Sequence, residues 1–226
     1  GLSERGLEEA LGTSRTPIRA ALARLESEGL TRRSGRSWQV APIDLTEIRA
    51  AMEFREAVEV GAVALATERA STDAVVTIQQ RLEAGAANDG AEAGLRDGTD
   101  FHLSLAALSG NPFFADAMRD VFVRLARTRW IEVRTQESRA QARREHQAIA
   151  AAIGAGDTAR ATELVVLHTR GTRDRLLATL EGERLRLRGR GLAIVESPAE
   201  PDSAAFLTIT PATNNTDPVT YIVFCD

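Results

Sequence analysis

A tight glycine turn between two short amphipathic runs constrains this chain more than any other feature. Ser3 offers a side-chain oxygen to cap a helix, Leu7, Ala10 and Leu11 give that helix one apolar face, and Gly12 stops it. A second helix follows almost at once. Thr16 is placed to cap it, and Pro17 falls where its missing N–H costs nothing. Ile18, Leu22 and Leu25, spaced i, i+4 and i+7, predict the buried stripe of that helix, with Arg15 and Arg19 off the stripe toward solvent or a ligand. Gly29 closes the helix, and Leu30–Arg33 and Ser37–Ala41 read as two strands turning at Ser34-Gly35.

A helix that enters a major groove needs short side chains at its N-terminus, so that the backbone reaches the phosphates, and arginines that hold phosphate or guanine. Ser14, Arg15, Thr16 and Arg19 supply both within six residues, and Arg36 lies at the wing tip, within reach of a phosphate. A small helical hairpin with a solvated arginine face would explain the two helices alone. The turn, the proline and the wing taken together favour nucleic acid.

The stretch SERGLEEALGTSRTPIRAALARLESEGL resembles the winged helix-turn-helix domain of GntR-family transcription regulators. Members of that family typically read R-x-L-A-x-x-L-G-V-S-R-T-P-V-R-x-A-L-x-x-L-x-x-x-G-L. Leu7, Ala10-Leu11-Gly12, Ser14-Arg15-Thr16-Pro17, Arg19, Ala21-Leu22, Leu25 and Gly29-Leu30 fill the pattern, with Thr13 in place of the usual valine. The resemblance implies DNA contacts by Arg5, Ser14, Arg15, Thr16, Arg19 and the wing glycine, Gly35. It also implies a further helix upstream that this sequence does not carry. Either the natural N-terminus is longer, or residues 1–41 are an N-terminally incomplete DNA-binding domain in which Leu22 and Leu25 would lose part of their cover and DNA binding would be weakened.

At 226 residues the length allows one or two domains. An apolar fraction of 43% with only 4% aromatic suits helices of Ala, Leu and Val rather than a β-sandwich. All 28 basic residues are arginine, which reads as GC-rich coding and makes the arginine count alone weak evidence for nucleic acid. Charge distribution says more. Residues 1–41 hold seven arginines against five acids, a net of +2, and the remainder holds 21 against 27, a net of −6. A mildly basic head on an acidic body fits a DNA-binding module joined to something else. Cys225 is the only cysteine, which excludes a disulfide framework and fits a reducing cytosol. No apolar run approaches the ~20 residues of a membrane span and no signal peptide is visible, so a soluble, cytoplasmic protein is expected.

From Pro42 the pattern is helix after helix. Asp44 to Glu47 is a capping-box-like start before Ile48, Met52, Val58 and Leu65. Ser71 or Thr72 caps a second helix to about Ala84, and residues 85–94 are a loop by composition. Phe101, Leu105 and Leu108 mark a third, ending at Ser109-Gly110, and Asn111-Pro112 opens a fourth to about Arg134. Two more lie near Ser138–Ala155 and Asp157–Leu180. Six helices with short connections predict a mainly α chain in which residues 42–181 form an antiparallel bundle. Residues 182–226 change character, with four of the seven prolines and two strand-like runs, FLTIT and VTYIVFC. An arm exchanged in a dimer, an appended β-hairpin or a reading-frame artefact would each account for them.

The three histidines of the chain, His102, His146 and His168, fall on three different predicted helices, each beside apolar or small residues. Each taken singly is a hydrogen-bonded core residue. Converging in one bundle, they would bind Zn²⁺ or a similar divalent ion, but spacing alone does not show convergence. The body is also similar to the FCD effector domain of the FadR branch of GntR regulators. FHLSLAALSGNPFF fits F-H-x-x-L-x-x-x-S-G-N-P, REHQAIAAAIGAGDTARA fits E-H-x-x-I-x-x-A-I-x-x-G-D-x-x-x-A, and His168 falls on the last histidine of the pattern.

That resemblance implies one divalent metal, zinc first with nickel or manganese as alternatives, held by the three histidines and an aspartate four residues before the first. Here Gly98 stands at that position. Asp97 and Asp100 flank it, but on a regular helix they point about 140° and 160° away from His102. Asp97 becomes the fourth ligand only if the helix starts irregularly; otherwise water or an effector completes the site. EFREAVE fits R-x-x-L-E, so Arg55 either meets a carboxylate effector in the cavity or sits exposed, paired with Glu59. Asn111 matches a family position too, although capping a helix explains it. The implied protein is a homodimer on a palindromic operator whose affinity changes with a small carboxylate. The rivals are a metal-dependent enzyme on the three histidines and a sensor that no longer binds DNA. Against the enzyme, no motif places a general base and no HExxH or nucleophile elbow occurs.

Overall fold

In the computed structural model, which describes residues 2–35, 37–85, 87, 90–189 and 193–198, local capping sets the first two helices. The Ser3 hydroxyl accepts from the Gly6 N–H at 3.0 Å and opens α1, Glu4–Leu11, and Gly12 closes it at φ 62°, the left-handed region glycine enters freely. Helix α2 spans Arg15–Ser27. Its N-cap is Ser14 rather than Thr16, so Pro17 lies third in the helix, still among the N–H positions that have no partner within it. Strands β1, Thr31–Ser34, and β2, Ser37–Val40, pair antiparallel with Ser34 opposite Ser37, and Gly35 turns the wing at φ 59°. Arg36 lies outside the described residues.

The small core of this head is Ile18, Leu22 and Trp38, with Leu2 and Leu7 packed against it. Leu2 exchanges both backbone hydrogen bonds with Trp38, at 2.6 and 2.9 Å. Trp38 is 1% exposed, and it is the wing tryptophan that covers Leu22, contrary to the expectation that Leu22 would lose cover; Leu25 is half-buried. Leu11 lies outside this core, 66% exposed.

Six helices follow: α3 Leu45–Arg69, α4 Thr72–Gly85, α5 Ala91–Leu108, α6 Pro112–Leu125, α7 Gln136–Gly154 and α8 Thr158–Gly182. Asp44, Asn111, Thr135 and Asp157 cap four of them through side-chain oxygens; the sequence places the first, second and fourth, whereas Thr135 precedes a polar run and opens α7 ahead of the expected start near Ser138. Helix α3 lies at the centre, packed on α5, α6 and α8. Among the described residues no helix is long and apolar enough to cross a membrane.

Two boundaries differ from the sequence reading. Helix α5 starts at Ala91, so Gly94 is helical and the 85–94 loop is shorter than its composition suggests. Helix α6 stops at Leu125 instead of running to Arg134. There the Thr128 hydroxyl donates to the Leu125 carbonyl at 2.9 Å and the Trp130 indole donates to the Arg127 carbonyl at 3.0 Å. These side chains take the acceptors a continuing helix would use and leave a short 3₁₀ turn, Arg129–Ile131. Beyond α8, helix α9, Arg184–Gly189, and strand β4, Ile194–Val195, return to the bundle. Strand β4 pairs in parallel with β3, Ile43–Asp44, and Leu187 and Ile194 join the core. The runs FLTIT and VTYIVFC lie outside the described residues.

Because one indole closes the head, Trp38→Ala should remove about 3–5 kcal/mol from it. Hydrogen exchange should show protection lost in α1, α2 and the wing while α3 and α8 keep theirs; uniform loss along the chain would mean head and bundle unfold as one unit.

Candidate metal centre and nucleic-acid face

Helices α5, α7 and α8 carry His102, His146 and His168 into one buried cluster, 2%, 4% and 4% exposed. Ring centroids lie 4.8 to 5.2 Å apart, and one ligand nitrogen from each falls within 4.8 Å of the others. The His146 ring stacks on Phe101 at 4.1 Å, 15° from parallel, which fixes its plane. His102 Nδ1 donates to Glu59 Oε2 at 2.9 Å, and His168 Nδ1 donates to Glu145 Oε2 at 2.6 Å. An ionised carboxylate only accepts, so both imidazoles carry a proton on Nδ1, and in the neutral form each leaves the Nε2 lone pair to the cluster. His102 Nε2 accepts from Arg55 Nη2 at 2.8 Å, and the buried His146 Nε2 has no partner.

Burial disfavours every charged form here. It pushes His102 down to about 3 and His146 well below the ordinary imidazole value. Burial alone would raise Glu59, but His102 and Arg55 outweigh it and hold that carboxyl below its usual range. Glu145 is likewise held low against burial by hydrogen bonds from His168 and Gln141. Neutral imidazoles backed by carboxylates are the protonation state a divalent ion requires. The orphaned His146 Nε2 supplies the other requirement, a buried ring nitrogen with no partner. These residues fit a metal. Three nitrogens on one zinc stand about 3.4 Å apart, so the rings would have to close inward and His102 would have to release Arg55.

The remaining predicted site residues divide. Asp97 lies with its carboxylate against the Gly85 backbone, outside the nitrogen cluster, although it lines the adjoining cavity of about 40 Å³. Asp100 is exposed. Arg55 is 0% exposed and ion-paired with Glu59 at 2.6 Å. The i, i+4 pair of the sequence reading exists, but inside the protein. Asn111 accepts from the Phe113 N–H at 3.1 Å as a helix cap and does not line the cavity.

Sequence reasoning missed Arg129, because it places that residue in a continuous helix. Arg129 is 5% exposed, donates to Thr99 Oγ1 and lies 4.2 Å over the Phe122 ring. A Cβ on Gly98 would meet Arg129 Nη2 at 3.5 Å and His146 Cε1 at 4.0 Å. Glu145 was missed as well, though it stands directly before His146 in the matched motif.

On the head, Arg5, Ser14, Arg15, Thr16, Arg19 and Gly35 are all exposed. Arg15 Nε donates to Glu8 at 2.8 Å, Arg19 donates to both Glu4 oxygens at 3.2 and 2.9 Å, and Arg5 pairs with Glu9. Exposed pairs of this kind are weak and readily exchanged for phosphate.

Residues 1–40 match the bacterial regulatory proteins of the gntR family, and residues 50–171, more than half the chain, match the FCD domain. The chain belongs to this family. It is 27% identical to the Nta operon transcriptional regulator of Aminobacter aminovorans, over 80% of this chain and 86% of that protein. It is 26% identical to the HTH-type transcriptional regulator LutR of Bacillus subtilis strain 168, over 79% and 92%. Among solved structures, E. coli McbR/YncC aligns with a TM-score of 0.66 at 22% identity, covering 79% of this chain and 87% of that one. A putative GntR regulator from Rhodococcus sp. RHA1 aligns with the same score at 20% identity, covering 78% and 86%. These alignments show the shared fold: a winged helix-turn-helix followed by a helical FCD domain.

The histidine shifts give this GntR-family chain a pH dependence. Unfolded imidazoles take a proton near pH 6.5, whereas folded His102 and His146 resist it far below that. The unfolded state thus binds more protons as pH falls, and stability present above about pH 6.5 is lost progressively on acidification. In chelator, the melting temperature should fall between pH 7.5 and 5, and His146→Gln should flatten the decline. A pH-independent melt would contradict buried neutral imidazoles.

Proposed function

We propose that this GntR-family, FCD-containing transcription regulator changes its operator affinity when a small carboxylate binds, together with a divalent metal, at His102, His146 and His168. The observation that carries the reading is the convergence of three buried imidazoles, one with an orphaned Nε2. Neutral imidazole suits zinc, with nickel and manganese as alternatives. A bound ion would supply positive charge for a carboxylate in a dry site. Arg55 and Arg129 stand beside it to take a carboxylate oxygen, Arg55 through the Nη1 that has no partner. Glu59 and Glu145 keep His102 and His168 oriented.

Coupling to DNA has a physical route. The irregular segment after α6 carries Arg129 at the cluster and, two residues earlier, Arg127, which donates to the carbonyls of Ala41 and Pro42 at the end of the head. A ligand that moves Arg129 therefore moves the segment that holds the linker, and in a homodimer on a palindromic operator this would change the spacing of two heads. An exposed recognition helix on the same chain, and relatives named as transcriptional regulators, favour this reading over a metal-dependent enzyme.

Two measurements test it. Elemental analysis should find up to about one divalent ion per chain after loading, with most of it lost in His146→Ala; no metal under any loading condition would return the histidines to the core. Titrating operator DNA with and without a bound carboxylate should reveal about 5- to 150-fold coupling, smaller in Arg127→Gln. Arg15→Ala and Arg19→Ala should each weaken operator binding about tenfold or more if they contact guanine. Equal operator affinity with and without the acid would mean the bundle is not a switch.

A further inference from the structure

We infer that Gly98 and Arg129 make metal binding conditional on an anion: a carboxylate seated between them supplies the ligand this chain leaves out. The inference rests on the metal reading above and deepens it.

Among the described residues the ligand-capable cluster is three imidazoles and nothing else, and no carboxylate joins it. Gly98 stands at its edge. A Cβ there would make only ordinary contacts, 3.5 Å to Arg129 Nη2 and 4.0 Å to His146 Cε1, so the chain presents bare backbone where a side chain would fit. The space beside it belongs to the cavity of about 40 Å³ lined by Gly98, Arg129 and all three histidines, room for a few water-sized groups.

Arg129 supplies the charge argument. Its guanidinium is buried, and Thr99 and the Phe122 ring hold it in place. Glu132, its nearest carboxylate, stands 3.9 Å from Nε, beyond hydrogen-bond length, and Nε has no partner. Arg55 differs, because Glu59 meets its charge directly at 2.6 Å. Imidazole ligands bring no negative charge of their own, so a divalent ion among them would face the Arg129 guanidinium with only Glu132, at 3.9 Å from Nε, to offset it. Arg129 repels such an ion alone. An anion between the two attracts both, and it accepts the N–H that Arg129 leaves unused. The cavity lining holds four arginines, Arg129, Arg139, Arg143 and Arg175, against two acids, Asp97 and Glu132. Gly98 and Arg129 thereby turn two weak binding events into one cooperative event, with equal effects in both directions. A carboxylate meets the size limit and presents two oxygens, one for each cation.

The test is zinc binding by equilibrium dialysis with elemental analysis, in chloride and in acetate at equal ionic strength. Wild type should bind zinc at least about tenfold more tightly in acetate. Gly98→Asp, which builds a carboxylate into the gap, should bind zinc tightly in both salts and lose most of the acetate gain. Arg129→Gln should bind zinc more tightly than wild type in chloride and gain little from acetate. If that variant does not fold, the wild-type and Gly98→Asp comparisons decide alone. Equal zinc affinity of the wild type in the two salts overturns the inference and leaves the metal reading intact. No zinc in either salt, for wild type and Gly98→Asp alike, overturns both.

Discussion

The buried Arg55–Glu59–His102 chain is the interaction on which the rest of the bundle depends. Arg55 and Glu59 are 0% and 1% exposed, and they lie in the same stripe of α3 as Leu45, Ile48, Met52, Ala62 and Ala66, alternating steps of three and four. Charges inside an apolar stripe are tolerable only when every partner is in place, and removing one partner of such a pair costs about 3–5 kcal/mol. The carboxylate meets both charges: one oxygen takes Arg55 Nε, the other takes His102 Nδ1. Three apolar clusters keep water from this centre. One is built on Val63, Phe101 and Ile149, a second on Met52, Leu125 and Leu176, and a third on Val58, Ala106 and Phe122. The polar centre ties α3 to α5 through Glu59 and His102, and α7 and α8 bring His146 and His168 to the same place.

The same centre explains why the segment after α6 is irregular. A continued α6 would not present Arg129 to the cluster and Arg127 to the linker from one short stretch. Thr128, 1% exposed, and Trp130 bind carbonyls of their own neighbourhood and leave the two arginines free to point to separate places. Irregular backbone recurs where function requires it, since regular helices can be packed from propensity and apolar spacing alone. The segment therefore joins the histidine cluster to the end of the head through hydrogen bonds, Arg129 to Thr99 at one side and Arg127 to the Ala41 and Pro42 carbonyls at the other.

Much of this was legible in the sequence, for identifiable reasons. Caps, glycine stops and the three-and-four spacing of apolar residues are local signals, and they located α1, the wing, α3, α4, α7 and α8 within a few residues. The cap of α2 was misplaced by two residues because Ser14 and Thr16 are chemically equivalent caps, and Pro17 is tolerated after either. The end of α6 was missed because Arg127 to Arg134 has no glycine or proline to break it; the break comes from side-chain bonds and tertiary contacts. The convergence of the histidines is likewise a tertiary fact, which composition and spacing leave open and which a family resemblance alone suggested. Arg55 and Glu59 did leave a local trace. Two charges of opposite sign on an otherwise apolar stripe of α3 mark a buried pair, and an exposed reading of Arg55 ignores that stripe. Arg129 left none.

The distribution of unsatisfied groups carries the last step. Folded proteins leave few buried polar atoms without partners, each at a cost of about 1–3 kcal/mol. Among the described residues, Arg55 Nη1, Arg129 Nε, Glu132 Oε1 and His146 Nε2 form most of the orphaned set, and all belong to residues at or beside the histidine cluster. Random packing error would scatter such atoms through the core. Their concentration marks a local shortage of partners beside the histidine cluster, bordered by the Arg55–Glu59 pair, the Phe101 stack and the Phe122 ring. An occupant with lone pairs for the guanidiniums and a vacant orbital for the imidazole would remove that deficit. Its binding would then stabilise the bundle by more than its own contacts, and the irregular segment bearing Arg129 would be the first part of the fold to register it.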